Sequence, residues 1–385
     1  MNGRRIRVLQ VITSLAGGAG LYACQLTRHL DPSRFDVKLV FGPGYPLDAV
    51  VERERLPHAK LSWTRRLNPL ATLYGVYQLA QILRRQHFDI VHTHCSLAGA
   101  VGRVLARWFK VPHVLFSVHA FASRDYQPVW RKQLFLMLER WLDRYTDRYL
   151  ASTDIGKQKI VVKRISTADR VSVVPLGIDI PPIPSNAQRL RARACLGLAD
   201  NALTVATAGR FERQKGLIHL LRAFADVHAA LPAARLVIFG DGPLYSTLRT
   251  ETSLLGLENV VVFAGWRSDL DVLLSGCDVF CLASLWETFG YVLLEAMAAR
   301  LPIVATCVDG IPEVTGDGQC ALLVPPANAA ALAAALIALL KDGAQRAMLA
   351  EQGRQRVVRE YTLARMIGRV EGIYEELLER VSARG

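Results

Sequence analysis

Twelve short apolar runs, each followed by a helical pattern or a turn-rich loop, recur along the chain in two sets of six, and that alternation decides the fold class. The first set is Arg7–Thr13, Val37–Phe41, Ile90–His92, Val114–Val118, Arg148–Ala151 and Val171–Val174. The second is Leu203–Ala208, Arg235–Phe239, Val260–Phe263, Val279–Leu282, Ile303–Thr306 and Ala321–Val324. Near-continuous apolar runs of this length suit strands of a parallel sheet, whose two faces are both covered by helices. Repeated strand–helix alternation within each set predicts two doubly wound α/β domains. Between the sets, Pro175–Pro184 carries four prolines and one glycine, which excludes regular structure and marks a linker. The expected domains are therefore 1–180 and 185–362. The helical pattern Thr362–Val381, within a last segment 363–385, is placed to return to the first domain. A chain of 385 residues, 51% apolar, suits two cores better than one.

Charge is unevenly divided. Residues 1–180 hold 27 Lys and Arg against 13 Asp and Glu, and the remainder 20 against 21, so the net +13 lies in the first half. A basic half favours an anionic partner such as a membrane surface or a lipid-linked phosphate. Nucleic acid is the rival partner. The cations are dispersed among helical patterns, however, and no motif interleaves them with stacking aromatics, so no nucleic acid is expected. No apolar run reaches the roughly 18 residues that cross a bilayer. The start, Met1-Asn-Gly-Arg-Arg, leads directly into a strand without the apolar core of a signal peptide. A cytoplasmic protein is expected, with attachment at the inner face of the plasma membrane as an extension of that reading. Seven scattered cysteines agree with it. Cys277 and Cys281 form the only close pair and lack a second pair or nearby histidines, so buried free thiols are expected rather than zinc.

Three segments fall at strand ends, where open α/β sheets bind ligands. In Glu287-Thr-Phe-Gly-Tyr-Val-Leu-Leu-Glu295, Gly290 permits a tight approach and the run from Tyr291 reads as helix. Glu295 then lies about one turn inside the helix, with Glu287 on the loop before it. A helix start offers unpaired N–H groups and partial positive charge, a seat for a diphosphate or sugar oxygens. Two carboxylates flanking that seat can accept hydrogen bonds from sugar and ribose hydroxyls. Either one alone reads equally well as a solvated helix charge; the pair with Gly290 does not. Next, Gly209-Arg-Phe-Glu-Arg-Gln-Lys-Gly216 follows the strand Leu203–Ala208 and places Arg210 and Lys215 where two cations can neutralise a diphosphate leaving group. Finally, Gly17-Gly18-Ala-Gly20 follows the first strand, and its N–H groups could face an anion or an acceptor hydroxyl. His119 closes Val114–Val118, and His92 and His94 close another strand, where packed histidines are an equal reading. Asp269-Leu-Asp271 imitates a metal-binding pair, but its place at a helix start reads as N-capping. Neither a metal site nor a cofactor is expected.

Taken together, these segments resemble those of the retaining family-4 glycosyltransferases of the GT-B fold, over nearly the whole chain. The Glu287 to Glu295 segment carries most of the likeness. Gly209-Arg210 with Lys215-Gly216, Phe239-Gly-Asp-Gly-Pro243, Gly310-Ile-Pro-Glu313 and Val174-Pro-Leu-Gly-Ile-Asp179 support it. The resemblance implies an α/β GT-B architecture of two Rossmann-like doubly wound domains facing across a cleft. The first domain would bind the acceptor and the second the nucleotide-sugar donor. It implies a hexosyltransferase that moves a sugar from a UDP- or GDP-sugar to a glycan or lipid-linked acceptor, in polysaccharide or glycoconjugate biosynthesis, with retention and without metal. Arg210 and Lys215 would hold the diphosphate, Glu295 the ribose and Glu287 the transferred sugar. The backbone of Phe289, Gly290, Tyr291 and Val292 would meet the phosphates and sugar. His119 would contact the sugar at the reacting face, completing a catalytic set with Glu287, Arg210 and Lys215. Gly17 and Gly18 would lie near the acceptor and diphosphate. Two positions depart from the family: it often has Glu where Gly20 stands and Asn where Leu176 stands.

Other readings compete with this one. Gly18-x-Gly20-x-x-Ala23 imitates a dinucleotide fingerprint, but the second strand runs into Phe41-Gly42-Pro43 with no acid to grip a ribose. A nucleotide-sugar epimerase of the same fold would use the donor site without an acceptor. Separately, Pro128–Tyr149 is an aromatic-rich helical pattern with Trp130, Leu134, Met137, Leu138, Trp141 and Tyr145 on one face. Arg131, Lys132, Arg140, Arg144 and Arg148 surround that face. It suits an anionic membrane; packing on the protein's own sheet is the favoured reading.

Overall fold

The structure, a computed structural model, describes residues 4–63, 68–119 and 128–382; residues 383–385 of the expected last segment lie outside the described residues. The chain divides into two compact units, Met1–Pro175 with Ala364–Gly385, and Leu176–Leu363. The first unit holds β1 (Ile6–Ser14), β2 (Phe35–Gly42), β3 (His58–Lys60), β4 (Ile90–His94), β5 (His113–Val118), β6 (Arg148–Ala151) and β7 (Val171–Val173). They form a parallel sheet in the order β3-β2-β1-β4-β5-β6-β7. The second unit holds β8 (Leu203–Ala208), β9 (Ala234–Phe239), β10 (Val261–Gly265), β11 (Val279–Leu282), β12 (Ile303–Thr306) and β13 (Ala321–Val324). These are again parallel, in the order β10-β9-β8-β11-β12-β13. Each order reverses once, at β1/β4 in the first unit and at β8/β11 in the second. Those reversals create the crevices at strand carboxyl ends where such sheets take ligands.

The apolar runs form central strands because helices shield both faces; Val8, Leu9, Val11 and Ile12 of β1 are all fully buried. Strand β3 was not anticipated. Its three residues, His58, Ala59 and Lys60, are half-buried to exposed at the sheet edge and carry no apolar run. Residues 175–184 contain no helix or strand, only a single bridge from Ile178 to Thr362. The last helix, Leu363–Ser382, is fastened within the first unit by polar contacts as well as packing. Glu371 accepts from the Asp31 amide at 2.9 Å and pairs with Arg34 at 3.3 Å, and Glu376 pairs with Arg148 at 2.9 Å. All seven cysteines are free; four are buried, Cys95 is half-buried, and Cys195 and Cys307 are exposed, so the expected burial does not hold for these last two.

The helix Val129–Leu142 corrects a second expectation. Rather than packing its aromatic face on the sheet, it buries only Leu142 and leaves Trp130 and Met137 each 64% exposed, with Val129, Leu134, Leu138 and Trp141 also exposed. Helix Ser96–Trp108 packs on β1, β4 and β5 and against this later helix, which sends only the partly buried Leu136 to the cluster of Phe116, Val118 and Tyr149. What fastens it is largely polar. Arg103, fully buried, donates to Glu139 at 2.8 Å and to the Gly99 carbonyl at 2.8 Å, with its guanidinium 4.1 Å from the Phe116 ring centre. Replacing Arg103 by Met removes the charged hydrogen bond that holds the outer helix. The variant should lose about 2 kcal/mol of stability in urea unfolding, and an unchanged midpoint would show that the outer helix is held by something else.

Candidate functional site

The second unit assembles its polar residues at the β8/β11 reversal. Behind β8 the chain turns through Arg210 and a short helical turn, Arg213–Lys215, into the helix Leu217–Ala230. Behind β11 it runs through Ser284 and Glu287 into the helix Tyr291–Ala298. Because β8 and β11 are neighbours, the two loops lie side by side. The backbone of one touches the other: Leu285 N donates to Gln214 O at 2.7 Å, and Gln214 Nε2 donates to Trp286 O at 3.1 Å. Gly216 is required at this junction. Its φ is +61°, and a Cβ there would lie 2.0 Å from the Ala283 carbonyl oxygen.

Across the junction Lys215 Nζ pairs with Glu287 Oε2, both side chains being largely buried. Ser284 Oγ donates to the same carboxylate oxygen at 3.4 Å. Glu287 is held by its backbone as well: its N–H donates to Asp309 Oδ2 at 3.0 Å, and Gly310 N donates to its carbonyl at 3.2 Å. That contact gives the Gly310-Ile-Pro-Glu313 segment, which opens the short helix Ile311–Val314, a physical task. Arg210 pairs with Glu212 at 2.5 Å and remains more than a third exposed. Both cations read from the sequence thus face carboxylates. Phe239-Gly-Asp-Gly-Pro243 backs the cation loop, with Gly209 N donating to Phe239 O at 3.0 Å and Phe211 N to Asp241 O at 2.9 Å.

Gly290, left-handed at φ +85°, stands immediately before the helix Tyr291–Ala298. Tyr291 and Val292 are half-buried, while the Phe289 ring is buried edge-on to Tyr361, 5.6 Å between centres. Of this run, then, Phe289 has only its backbone to offer a ligand. Glu295 lies one turn into the helix. Its carboxyl has no hydrogen-bond partner among the described residues, and burial, reinforced by nearby Asp271, pushes its pKa up to about 7. Asp269 occupies the N-cap position of the helix Leu270–Leu274 but does not cap it, because Arg267 takes its carboxylate at 2.7 and 2.8 Å. Among the described residues no group of three or more His, Cys, Asp or Glu is placed to hold a metal.

In the first unit the glycine loop after β1 opens the helix Gly17–His29, with Gly17 and Gly18 exposed. Gly20 is buried, and a Cβ there would lie 2.4 Å from the Leu15 carbonyl carbon, so this backbone admits no larger residue. Tyr22, two residues on, packs its ring against those of His92, His94 and His119, the last at 5.2 Å. The three histidines therefore converge at the carboxyl ends of β4 and β5. His94 Nδ1 is 3.1 Å from His119 Nε2, and His92 lies between Ser117 Oγ and Tyr374 Oη, each at 2.7 Å. Burial lowers the pKa of His92 to about 3 and that of His119 to about 4, so both are neutral at pH 7; for His92 the nearby His119 adds to the effect.

Sequence reasoning missed Glu212, Ser284, Asp309, Asp271, Gln10 and Tyr374. Glu212, Ser284 and Asp309 sit within or beside segments already singled out, and Asp271 belongs to the Asp269-Leu-Asp271 pair, read there only as metal mimicry and capping. Gln10 and Tyr374 come from distant elements and leave no local signal.

The comparisons fit this geometry. Residues 188–356 match the model described as glycosyl transferases group 1, and residues 17–177 match that of a glycosyl transferase 4-like domain. A UDP-Gal:alpha-D-GlcNAc-diphosphoundecaprenol alpha-1,3-galactosyltransferase of Escherichia coli is 24% identical, over 97% of this chain and 98% of its own. A D-inositol 3-phosphate glycosyltransferase of Stackebrandtia nassauensis is 30% identical, over 76% of this chain and 69% of its own. Among solved structures, Alr3699/HepE of Anabaena in complex with UDP and glucose superposes with a TM-score of 0.85 at 21% identity, covering 97% of this chain and 100% of that one. Sucrose-phosphate synthase of Thermosynechococcus elongatus gives 0.84 at 24%, covering 98% and 100%.

Glu295 yields a prediction of its own. Its pKa stands near 7 folded against an ordinary 4.5, so between those values the folded chain holds more protons than the unfolded one and stability falls as pH rises. From pH 4.5 to pH 8 this group should cost about 3 kcal/mol. Urea unfolding of Glu295→Gln should lack that decline, and parallel curves for variant and parent would refute the assignment.

Proposed function

The chain belongs to the family-4 glycosyltransferases of the GT-B fold and is a glycosyl-transferring enzyme; we propose that it transfers a sugar from a UDP-sugar, with retention and without metal, to a lipid-linked acceptor. The observation that carries the reading is the Lys215–Glu287 pair, set beside Arg210 and the start of the helix Tyr291–Ala298 at the β8/β11 reversal. A diphosphate needs cations and backbone N–H groups at a helix start, and this corner places Arg210 and Lys215 beside one. On this reading the incoming phosphates draw Lys215 and Arg210 from Glu287 and Glu212. Glu287 is then released to a hydroxyl of the transferred sugar, and Glu295 accepts from the ribose. The E. coli relative, whose name gives UDP-Gal as donor and a diphosphoundecaprenol-linked acceptor, supports the uridine and lipid-linked choices.

The reaction is proposed as attack from the face that the leaving group departs. The acceptor hydroxyl oxygen bonds to the anomeric carbon while the carbon–oxygen bond to the β-phosphate breaks. The electron pair stays with that phosphate, and the acceptor's proton moves to a phosphate oxygen. Arg210, Lys215 and the helix start stabilise the growing charge, each by on the order of 3 kcal/mol. In the first unit, Gly17 and Gly18 offer N–H groups to the acceptor side and His119 offers an uncharged ring nitrogen to a substrate hydroxyl.

Lys215→Ala is expected to lower kcat about a hundredfold with UDP-sugars; the parent enzyme should keep full activity under EDTA, and its product should keep the donor's anomeric configuration by NMR. Strict Mn²⁺ or Mg²⁺ dependence, inversion, or unimpaired Lys215→Ala would each overturn the corresponding part.

The exposed helix Val129–Leu142 supports a further element of this reading, attachment to an anionic membrane. No helix among the described residues is long and apolar enough to cross a bilayer. Beside it, helix Pro69–Arg85 exposes Leu70, Leu73, Tyr74 and Tyr77. A shallow apolar groove lined by Val76, Val101, Val104, Leu105, Leu138 and Trp141 joins the two. In Pro69–Arg85 these side chains crowd the N-terminal half, the end that faces the strand carboxyl ends in a parallel α/β unit, whereas in Val129–Leu142 they run along the whole helix. Arg131 and Arg144 lie over the rings of Trp130 and Trp141, a pairing suited to a headgroup boundary. The protein should pellet with anionic vesicles at low salt, and Trp130→Ser with Met137→Ser should weaken that at least tenfold, since each buried apolar side chain contributes about 2 kcal/mol. Equal recovery with and without vesicles would end this part.

A further inference from the structure

Behind His119 lies a closed chain of hydrogen bonds with no solvent-facing role in the reading above. His119 Nε2 is 3.1 Å from His94 Nδ1, and His94 Nε2 is 2.6 Å from Gln10 Oε1. Gln10 Nε2 donates to Tyr374 Oη at 2.9 Å. Tyr374 Oη is 2.7 Å from His92 Nδ1, and His92 Nε2 is 2.7 Å from Ser117 Oγ. Gln10, His92, His94 and Tyr374 are fully buried. Gln10 comes from the middle of β1, His92 and His94 from β4, and Tyr374 from the last helix.

The proton positions follow from one member. A neutral imidazole carries a single N–H, a hydroxyl can both give and take, and only the amide has a fixed donor end and a fixed acceptor end. With Gln10 Nε2 donating to Tyr374, its Oε1 must accept from His94 Nε2–H. His94 Nδ1 is then bare and must accept from His119 Nε2–H, which leaves His119 Nδ1 unprotonated. On the other arm, the Tyr374 O–H donates to His92 Nδ1, and His92 Nε2–H donates to Ser117. Every member is satisfied without a charge. Turning the Gln10 amide over inverts all three histidines together, so the amide is the element that decides.

We propose that Gln10, anchored by Tyr374, is a positioning residue that sets the tautomer of His119 through His94, so that His119 presents Nδ1 as a hydrogen-bond acceptor to a substrate hydroxyl. The final clause rests on the reading of His119 given under Proposed function; the tautomer does not. An acceptor nitrogen selects a hydroxyl that donates and refuses a carbonyl or phosphate oxygen in the same place. It also makes the strand-end histidine neither an acid nor a cation in the transfer. The last helix gains a second task, since the hydroxyl of Tyr374 accepts from the Gln10 amide and carries the chain on to His92.

The test is a long-range imidazole ¹⁵N–¹H correlation spectrum of the full-length, ¹⁵N-histidine-labelled protein, without ligand, between pH 6 and 8. The expected result is a single His119 tautomer with Nε2 protonated and Nδ1 bare across that range. In Gln10→Leu, His94 loses its acceptor and His119 should show mixed tautomers, with kcat/KM for the donor falling about tenfold, the worth of one hydrogen bond. In Gln10→Glu, which keeps an acceptor for His94, the single tautomer should return. A wild-type His119 protonated at Nδ1 overturns the proposal without any variant. So does a His119 signal in Gln10→Leu that is unchanged from the parent. Mixed tautomers in a fully active Gln10→Leu support the relay and overturn only the substrate contact assigned to His119.

Discussion

The ion pair between Lys215 and Glu287 joins two loops that are far apart in the chain and adjacent in the sheet. Everything proposed for the second unit depends on it. The strand order puts the end of β8 next to the end of β11, and Gly216 lets the two backbones approach closely enough for the side chains to meet. Asp309 and Gly310 then hold Glu287 from behind, so the carboxylate is presented by a backbone that is itself hydrogen-bonded. A cation and an acid this well buried neutralise one another until a stronger anion arrives. In a partly desolvated corner such an exchange is favourable only for a multiply charged ligand, because moving a lone charge there is costly. A diphosphate meets that demand.

The two units solve the same problem with different chemistry. Both are parallel sheets that reverse direction once, and both gather polar residues at the reversal. The second gathers the charged Arg210, Lys215 and Glu287, with Glu295 beside them at a pKa raised to about 7. The first gathers neutral groups, a glycine loop and three histidines that burial keeps uncharged. The contrast is consistent with a division in which one unit manages an anionic leaving group and the other orients hydroxyls. Of the basic residues in 1–180, Arg131 and Arg144 lie over the exposed rings of Trp130 and Trp141, while Arg103 and Arg148 are buried.

Most of the fold could be read from the chain because its signal is local and strong. Leu203–Ala208, Val279–Leu282, Ile303–Thr306, Ala321–Val324 and Arg148–Ala151 are strands with the bounds expected from their apolar runs. Strand β3 escaped because an edge strand of three residues needs no apolar run. The helix Val129–Leu142 was misread for a different reason: an amphipathic stripe records that one face is apolar, not what covers it. The glutamates and cations of the site stood out by spacing, whereas their partners did not. Nothing near Gln10 in the sequence announces Tyr374, 364 residues away. A polar residue inside an apolar strand gains meaning only when the sheet shows what faces it.

The central claim, that the corner formed by Arg210, Lys215, Glu287 and the helix start receives a nucleoside diphosphate, is tested most directly by a crystal structure of the protein soaked with UDP in the absence of divalent metal. The account predicts the two phosphates between Arg210 and Lys215 at the amides of residues 289–292, with the ribose hydroxyls on Glu295 and the Lys215–Glu287 pair opened. A diphosphate bound elsewhere, with that pair intact, would contradict it.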